Sequence, residues 1–282
     1  MKTTWLYTLM LPCLLLSSLA VSNACAQKKI KQIVGWGKYS KKDKTSQKFF
    51  AYDYNPDGKL LRKQDFRLYI DNTYFYDKQG KLVKIEGYEG ETSFTSTYVY
   101  GKKVMTEIMK MPDDRVHKTH TYLNNKGNKV EEKTYHTGKL SKRILYTYNK
   151  QDSVIGEMHY LYSGKQRTSY KVIYTYDYKT HLRTHKNEYD AYQQVVEQED
   201  YTYNAVGQLL KISKVFPQRK NNDYNTTIEY QYQNGKLWQV INQTHNGKYK
   251  SVKIYKEGGL IRVRRYENSK LMELIDYQYV YF

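Results

Sequence analysis

The stretch Tyr201–Ile212, YTYNAVGQLLKI, decides the fold. Tyr201 and Tyr203 flank a threonine, so in an extended chain both rings fall on one face, because side chains alternate along a strand. Tyrosine and threonine also favour the pleated backbone. Asn204 to Gly207 reads as a turn, with an Asx side chain that can bond its own backbone and a glycine that accepts positive φ. The apolar pair Leu209 and Leu210 then opens a second strand. The phrase describes a β-hairpin.

Aligning the chain on Tyr-x-Tyr shows the phrase again and again, which is the signature of a repeat protein. YDYNPDGKLL begins at Tyr52, YFYDKQGKLV at Tyr74, YVYGKKVM at Tyr98 and HTYLNNKGNKV at His120. YTYNKQDSVI begins at Tyr146, YTYDYKTHL at Tyr174, YQYQNGKLW at Tyr230 and a shortened YKEGGLI at Tyr255. YQYVYF closes the sequence. Second turns at Gly138, Gly164 and Asn246–Gly247 return the chain after each hairpin. The pattern predicts an all-β fold, an antiparallel meander of hairpin repeats with about 16 to 20 strands. No helical periodicity and no Ser/Gly linker interrupt it. Pro56 and Pro112 fall where turns are expected, and Pro217 marks the irregular stretch FPQRKNNDYN. Asp53, Asp77 and Asp177 are read as repeat-position acids bonding their own turns.

Strict alternation divides each second strand into two faces. In GKLVKIE it places Val83 with Ile85 and sets Leu82, Lys84 and Glu86 opposite. GQLLKIS places Leu210 with Ile212, and GLIRVRR places Ile261 with Val263. A sheet greasy on one face cannot stand alone in water, so the expectation is one long sheet that curls or wraps on itself. Repetition then lets each hairpin bury its face against the next. An exposed terminal strand is expected to pair with a second copy.

Tyr-x-Tyr-Asp/Asn-x-x-Gly-Lys/Gln-Leu resembles the YD repeat of the RHS family from about Tyr52 to the C-terminus. Lysine or glutamine replaces the family's arginine before Leu60, Leu82, Leu209 and Leu237, and Asn149 and Asn204 stand in place of Asp. The resemblance implies hairpins wound into a shell, here in a short secreted bacterial form without a toxin domain.

The organisation read from the sequence is a signal peptide over 1–26, a basic segment over 27–48 and a YD-like hairpin domain over 49–282. Lys2 and the apolar run Leu6–Val21, followed by small residues before Gln27, suit signal-peptidase cleavage. Acylation at Cys25, giving a lipid anchor, is the alternative. Cys13 and Cys25 are the two cysteines, both inside this segment, so burial and backbone pairing must hold the exported domain without disulfides. No transmembrane span is expected after removal of the signal. The formal net charge is +19, and Lys28 to Lys48 alone contains eight lysines against Asp43. Such a surplus attracts polyanions, and it also protects strand edges from aggregation.

Chemistry is sparse. His117 and His120 should face opposite ways on a strand, and His181 and His185 are too far apart on one face to share an ion, so no metal or other cofactor is expected. Glu131–Glu132 and Glu197–Asp200 are the runs that could bring two acids together. No P-loop, nucleotide fingerprint or GxSxG is present. Arg262, Arg264 and Tyr266 share one strand face and form the candidate ligand surface. The expected function is non-enzymatic: a secreted or periplasmic protein offering a basic, tyrosine-rich surface to an envelope or host polysaccharide or to another envelope protein. Specific nucleic-acid recognition is not expected, since no reading module is visible. Two alternatives are a glycan hydrolase in a curled-sheet cleft and an outer-membrane β-barrel, the latter opposed by basic residues on both strand faces.

Overall fold

The computed structural model describes residues 29–39, 43–164, 166–219 and 222–281. The expected signal segment and Cys25 lie outside the described residues. The strands begin with β1 (Ile30–Lys38), β2 (Gln47–Tyr54), β3 (Leu60–Asp65), β4 (Ile70–Tyr76) and β5 (Leu82–Glu89). Next come β6 (Thr92–Tyr100), β7 (Val104–Lys110), β8 (Val116–Leu123), β9 (Lys129–His136) and β10 (Lys139–Tyr148). They are followed by β11 (Val154–Ser163), β12 (Gln166–Tyr176), β13 (Arg183–Tyr189), β14 (Val195–Tyr203) and β15 (Leu209–Val215). The last are β16 (Thr226–Gln233), β17 (Lys236–Thr244), β18 (Tyr249–Lys256), β19 (Gly259–Glu267) and β20 (Lys270–Tyr281). A 3-10 turn, Asn222–Tyr224, is the sole helical segment among the described residues. No helix among them is long and apolar enough to cross a membrane.

Each strand pairs antiparallel with the next, and β1 pairs with both β2 and β20. The twenty-stranded meander therefore closes into a barrel. Closure removes the sheet edges, so the expected pairing of a terminal strand with a second copy has no template here. β1 lies within 27–48, so part of that basic segment is barrel wall.

Cross-strand partners share a face, and following them around the ring returns to the starting face without contradiction. One face carries the Tyr-x-Tyr rings. All the buried side chains except Val34, Ala51 and Val252 lie on that face, which is therefore the inner wall. Leu61, Phe75, Val99, Leu210 and Trp238 are exposed on the other.

The turns follow the repeat. The side-chain oxygen of Asn55, Asp77, Asn149 or Asn204 accepts two backbone N–H groups of its own loop, at 2.8–3.1 Å. Asp177 does the same with Lys179 and Thr180. Asp53 does not: Asn55 takes the turn position, and Asp53 sits on β2, accepting from the Gln32 side chain. Gly58, Gly80 and Gly207 carry the positive φ. Asp152 and Gln193 adopt it as non-glycine residues in equivalent turns.

After most of these turns the register slips by one residue, as between Phe75 and Tyr76 or Thr202 and Tyr203. This bulge corrects the simple alternation. Leu82 pairs with Tyr76 and Ile85 with Tyr74, so these two share the inner wall, while Lys84 pairs with outward Phe75. Likewise Leu209 and Ile212 face inward with Tyr203 and Tyr201, and Leu210 is exposed outside. The apolar pair of the repeat straddles the sheet. The slip also frees a carbonyl at the first residue of the pair. The second tyrosine of the following repeat donates to it: Tyr76 to Leu60, Tyr100 to Leu82 and Tyr148 to Lys129. Tyr176 to Val154, Tyr232 to Leu209 and Tyr279 to Leu260 repeat the contact, all at 2.6–3.0 Å. The tyrosine of one repeat thus latches the hairpin before it.

The unit at His120 departs from this phase. Its turn begins at Asn124, so the inward positions are Thr121 and Leu123, and His120 and Tyr122 face outward.

Phe49, Phe50, Val263 and Ile275 form a compact apolar cluster on the inner side where β1 joins β2 and β20. Gly35 and Gly37 of β1 lie beneath it. A Cβ at either would stand 2.2 Å from the ring of Phe50 or Phe49. Only glycine leaves room for both rings, so the seam closes over a bare stretch of backbone.

Candidate functional site

Elsewhere the inner wall is polar and aromatic, and its richest section spans β11 to β15. Register slips at the β12–β13, β13–β14 and β14–β15 pairings set which side chains meet. Glu157 accepts from Tyr174 Oη at 2.8 Å, and its other oxygen lies 2.8 Å from His159 Nε2. The His159 ring stacks on Tyr170 with centroids 4.2 Å apart. Lys186 and Lys214 bridge Glu197 and Glu199 in a four-membered ion network of 2.8–3.5 Å contacts. Tyr201 donates to Glu199. The guanidinium of Arg183 lies 4.3 Å from the Tyr174 ring centroid and also approaches Tyr176 and Tyr201.

Environment separates these acids. The hydrogen bond from His159 holds Glu157 below the usual carboxylate range, against the opposing effect of burial. Burial also opposes ionisation of Glu199, but hydrogen bonds from Lys214 and Tyr201 outweigh it and hold its carboxyl down. Glu188, directly opposite Glu197, is pushed up by burial and by that neighbour's charge. Tyr201 is pushed up to about 12 by burial and its bond to Glu199.

The expected ligand surface holds together geometrically: Arg262, Arg264 and Tyr266 share the outer face of β19. Arg262 is ion-paired with Asp276, Arg264 sits between Val252 and Leu274, and Tyr266 is opposite Lys250. These residues and the tyrosine rows occupy opposite sides of the sheet. Basic side chains outnumber acidic ones on the outer face and nearly balance them inside, so the basic surface and the tyrosine surface are separate.

The acid runs also divide. Glu131 faces outward to Arg143 and Lys133, and Glu132 inward, so they form no pair. Glu197 and Glu199 do meet inside, whereas Asp200 faces outward to His185 at 2.6 Å. His181 occupies a turn with positive φ, away from His185. No group of three or more His, Cys, Asp or Glu side chains is placed to hold a metal ion among the described residues. Sequence reading picked out the Glu197–Asp200 run but missed the rest of the β11–β15 network. Its signal was the alternation of charges in KNE (Lys186, Glu188) and EQE (Glu197, Glu199), which puts like positions on one face. Their partners depended on register.

No protein-family model matches the chain, and no curated protein matches it. Among solved structures, the TcdB2–TccC3–Cdc42 complex is similar at 14% identity with a TM-score of 0.36 over 78% of this chain. The match spans only 15% of that chain's length. A porin-like protein from Bacteroides uniformis is similar at 11% identity, TM-score 0.40, over 89% of this chain and 96% of that one. A porin-like protein from Bacteroides vulgatus gives 11% identity and a TM-score of 0.30, covering 90% and 99% of the two chains. At these scores none of the likenesses fixes a family or an activity.

Proposed function

We propose that this chain is a non-enzymatic binding protein of the cell envelope, with a tyrosine-lined inner wall that takes an extended polysaccharide. The carrying observation is the arrangement of Tyr-x-Tyr rings in rows around the inside of a closed barrel. Aromatic faces flanked by hydroxyls and amides are suited to sugar rings, which present apolar faces and polar edges. Half-burial of residues such as Tyr98, Tyr146 and Tyr174 leaves part of each ring open to the interior. The positive outer face and turns would draw acidic envelope polymers towards the barrel. The acids of the β11–β15 wall favour a binding role, because Glu157, Glu197 and Glu199 are each held by a cation or a hydroxyl.

Retention of the purified protein on neutral and acidic glycans, at low and high salt, tests this reading. One glycan class should be held at high salt, and Tyr174→Ala with Tyr201→Ala should release it. Binding to every polyanion that disappears with salt would leave only charge, and a protein partner would replace the polysaccharide. The raised carboxyl of Glu188, directly opposite Glu197, favours a hydrolase as the enzymatic alternative. Glycan cleavage lost in Glu188→Gln would establish it.

Ring closure of an even-numbered antiparallel meander also favours an outer-membrane barrel. The outward pairs Arg62–Asp71, Arg143–Glu131 and Arg262–Asp276 weigh against it, since they would face lipid. Heat-modifiable migration in detergent would decide for the membrane.

A further inference from the structure

We propose that Met109, His117 and His136 form a binding site for a soft monovalent metal ion, with Cu(I) as the biological candidate. The three residues stand side by side across β7, β8 and β9. Met109 pairs with His117, and His117 pairs with His136, all on the inner wall. The Thr137 amide donates to the Val116 carbonyl, which makes 116 and 137 a hydrogen-bonded pair. His117 and His136 are therefore a non-hydrogen-bonded pair, the arrangement that brings side chains closest. Their rings lie parallel, 4.1 Å between centroids and 1° between planes. They are the one histidine pair in ring contact among the described residues.

The row sits at the rim, beside the Met111–Arg115 and Thr137–Gly138 turns. His136 is exposed, and His117 and Met109 are half-buried, so an ion can reach them from solvent. Neighbouring strands are about 4.8 Å apart. An ion taking imidazole nitrogen at about 2 Å spans that gap once the rings turn about χ2, a torsion with broad preferences.

Donor chemistry selects the ion. Two imidazoles alone hold a divalent metal poorly, and no third His, Cys, Asp or Glu is placed to complete the set among the described residues. The remaining donor is a thioether, which favours soft ions such as Cu(I). Lys139 pairs with His136, while Arg115, two residues before His117, is neutralised by its ion pair with Asp113. The Lys139 charge penalises a divalent ion more than a monovalent one. The competing reading is an aromatic filler pair, which predicts no metal at all.

The test is anaerobic titration of the purified protein with Cu(I) against a colorimetric Cu(I) chelator. A parallel titration uses Ag(I), a redox-inert analogue, followed by histidine NMR. One equivalent should bind and shift the His117 and His136 ring signals. His117→Asn and His136→Asn should each abolish this, with unchanged circular dichroism. His136→Gln provides a second variant should one fail to fold. Met109→Leu should weaken Cu(I) and Ag(I) by at least the roughly 10- to 100-fold that loss of even an outer-shell partner costs. The same variant should leave weak Zn(II) binding alone. His185→Asn, on the outer face against Asp200, should change nothing. Equal binding by wild type and the His117 and His136 variants would overturn the site. Zn(II) binding as tight as Ag(I), unaffected by Met109→Leu, would overturn the soft-metal assignment.

Discussion

The seam and the β11–β15 wall enclose the same barrel by different physics. At the seam, Phe49, Phe50, Val263 and Ile275 exclude water over Gly35 and Gly37. On the wall, Lys186 of β13 and Lys214 of β15 hold β14 between them through ion pairs to Glu197 and Glu199, and Tyr174 of β12 donates to Glu157 of β11. Apolar burial is indifferent to pH, whereas the ion network depends on pH and is screened by salt. The difference separates a part that closes the ring from a part that stays polar enough to meet a ligand.

The seam should break hardest. Phe49 is 1% exposed, and Phe49→Ala should cost about 3–5 kcal/mol in denaturant unfolding, similarly at acid and neutral pH. Gly37→Ala should also destabilise strongly, since its Cβ has no room beside that ring. A small effect from both would mean that the seam is not what holds the ring shut.

The wall should respond less, and with pH. Glu199→Gln removes the charge paired with Lys214 and Lys186, weakens the bond from Tyr201 and should cost about 1.5–3 kcal/mol at pH 7. Glu157 and Glu199 have depressed folded values. Their stabilisation is therefore complete above the unfolded value near pH 4.3 and is lost as pH falls through the folded values. Unfolding curves between pH 7 and pH 2 should show this loss in wild type, and Glu199→Gln should flatten it. An unchanged slope would detach the acids from stability.

The latch between repeats comes next. Tyr76→Phe removes one bond to the Leu60 carbonyl and should cost about 1 kcal/mol. Tyr88→Phe, on the outer face, should cost less in the same assay. The outer patch should matter least to folding: Arg264→Ala should stay within about 0.5 kcal/mol. Any loss of glycan retention in that variant would then report binding through the outer face.

Much of the fold was legible. Tyr201 and Tyr203, the Asn204–Gly207 turn and the next strand appear as the repeat implied, and strict pairing of neighbours follows from short turns. Alternation failed where a bulge intervened. Leu82 moved to the side of Ile85, and the two residues of Leu209–Leu210 parted across the sheet. The bulge depends on the backbone beside a left-handed turn residue, glycine in some repeats and Asp152 or Gln193 in others, and no side-chain pattern marks it. Asn55 displaced Asp53 from the turn because loop geometry chose the oxygen nearest the free amides. The candidate site was barely legible: Arg262, Arg264 and Tyr266 did share a face, but the Glu157–Lys214 network and the His117–His136 pair join residues from different strands.

The sequence by itself determined hairpins, their approximate number, and tyrosine as the residue repeated on one face, because turn chemistry and period-two alternation act over a few residues. Tertiary structure decided ring closure, the register after each bulge and the side on which each charge lies. Those depend on which strands meet, and Phe49 and Phe50 settling over Gly35 and Gly37 brings the two ends of the meander together.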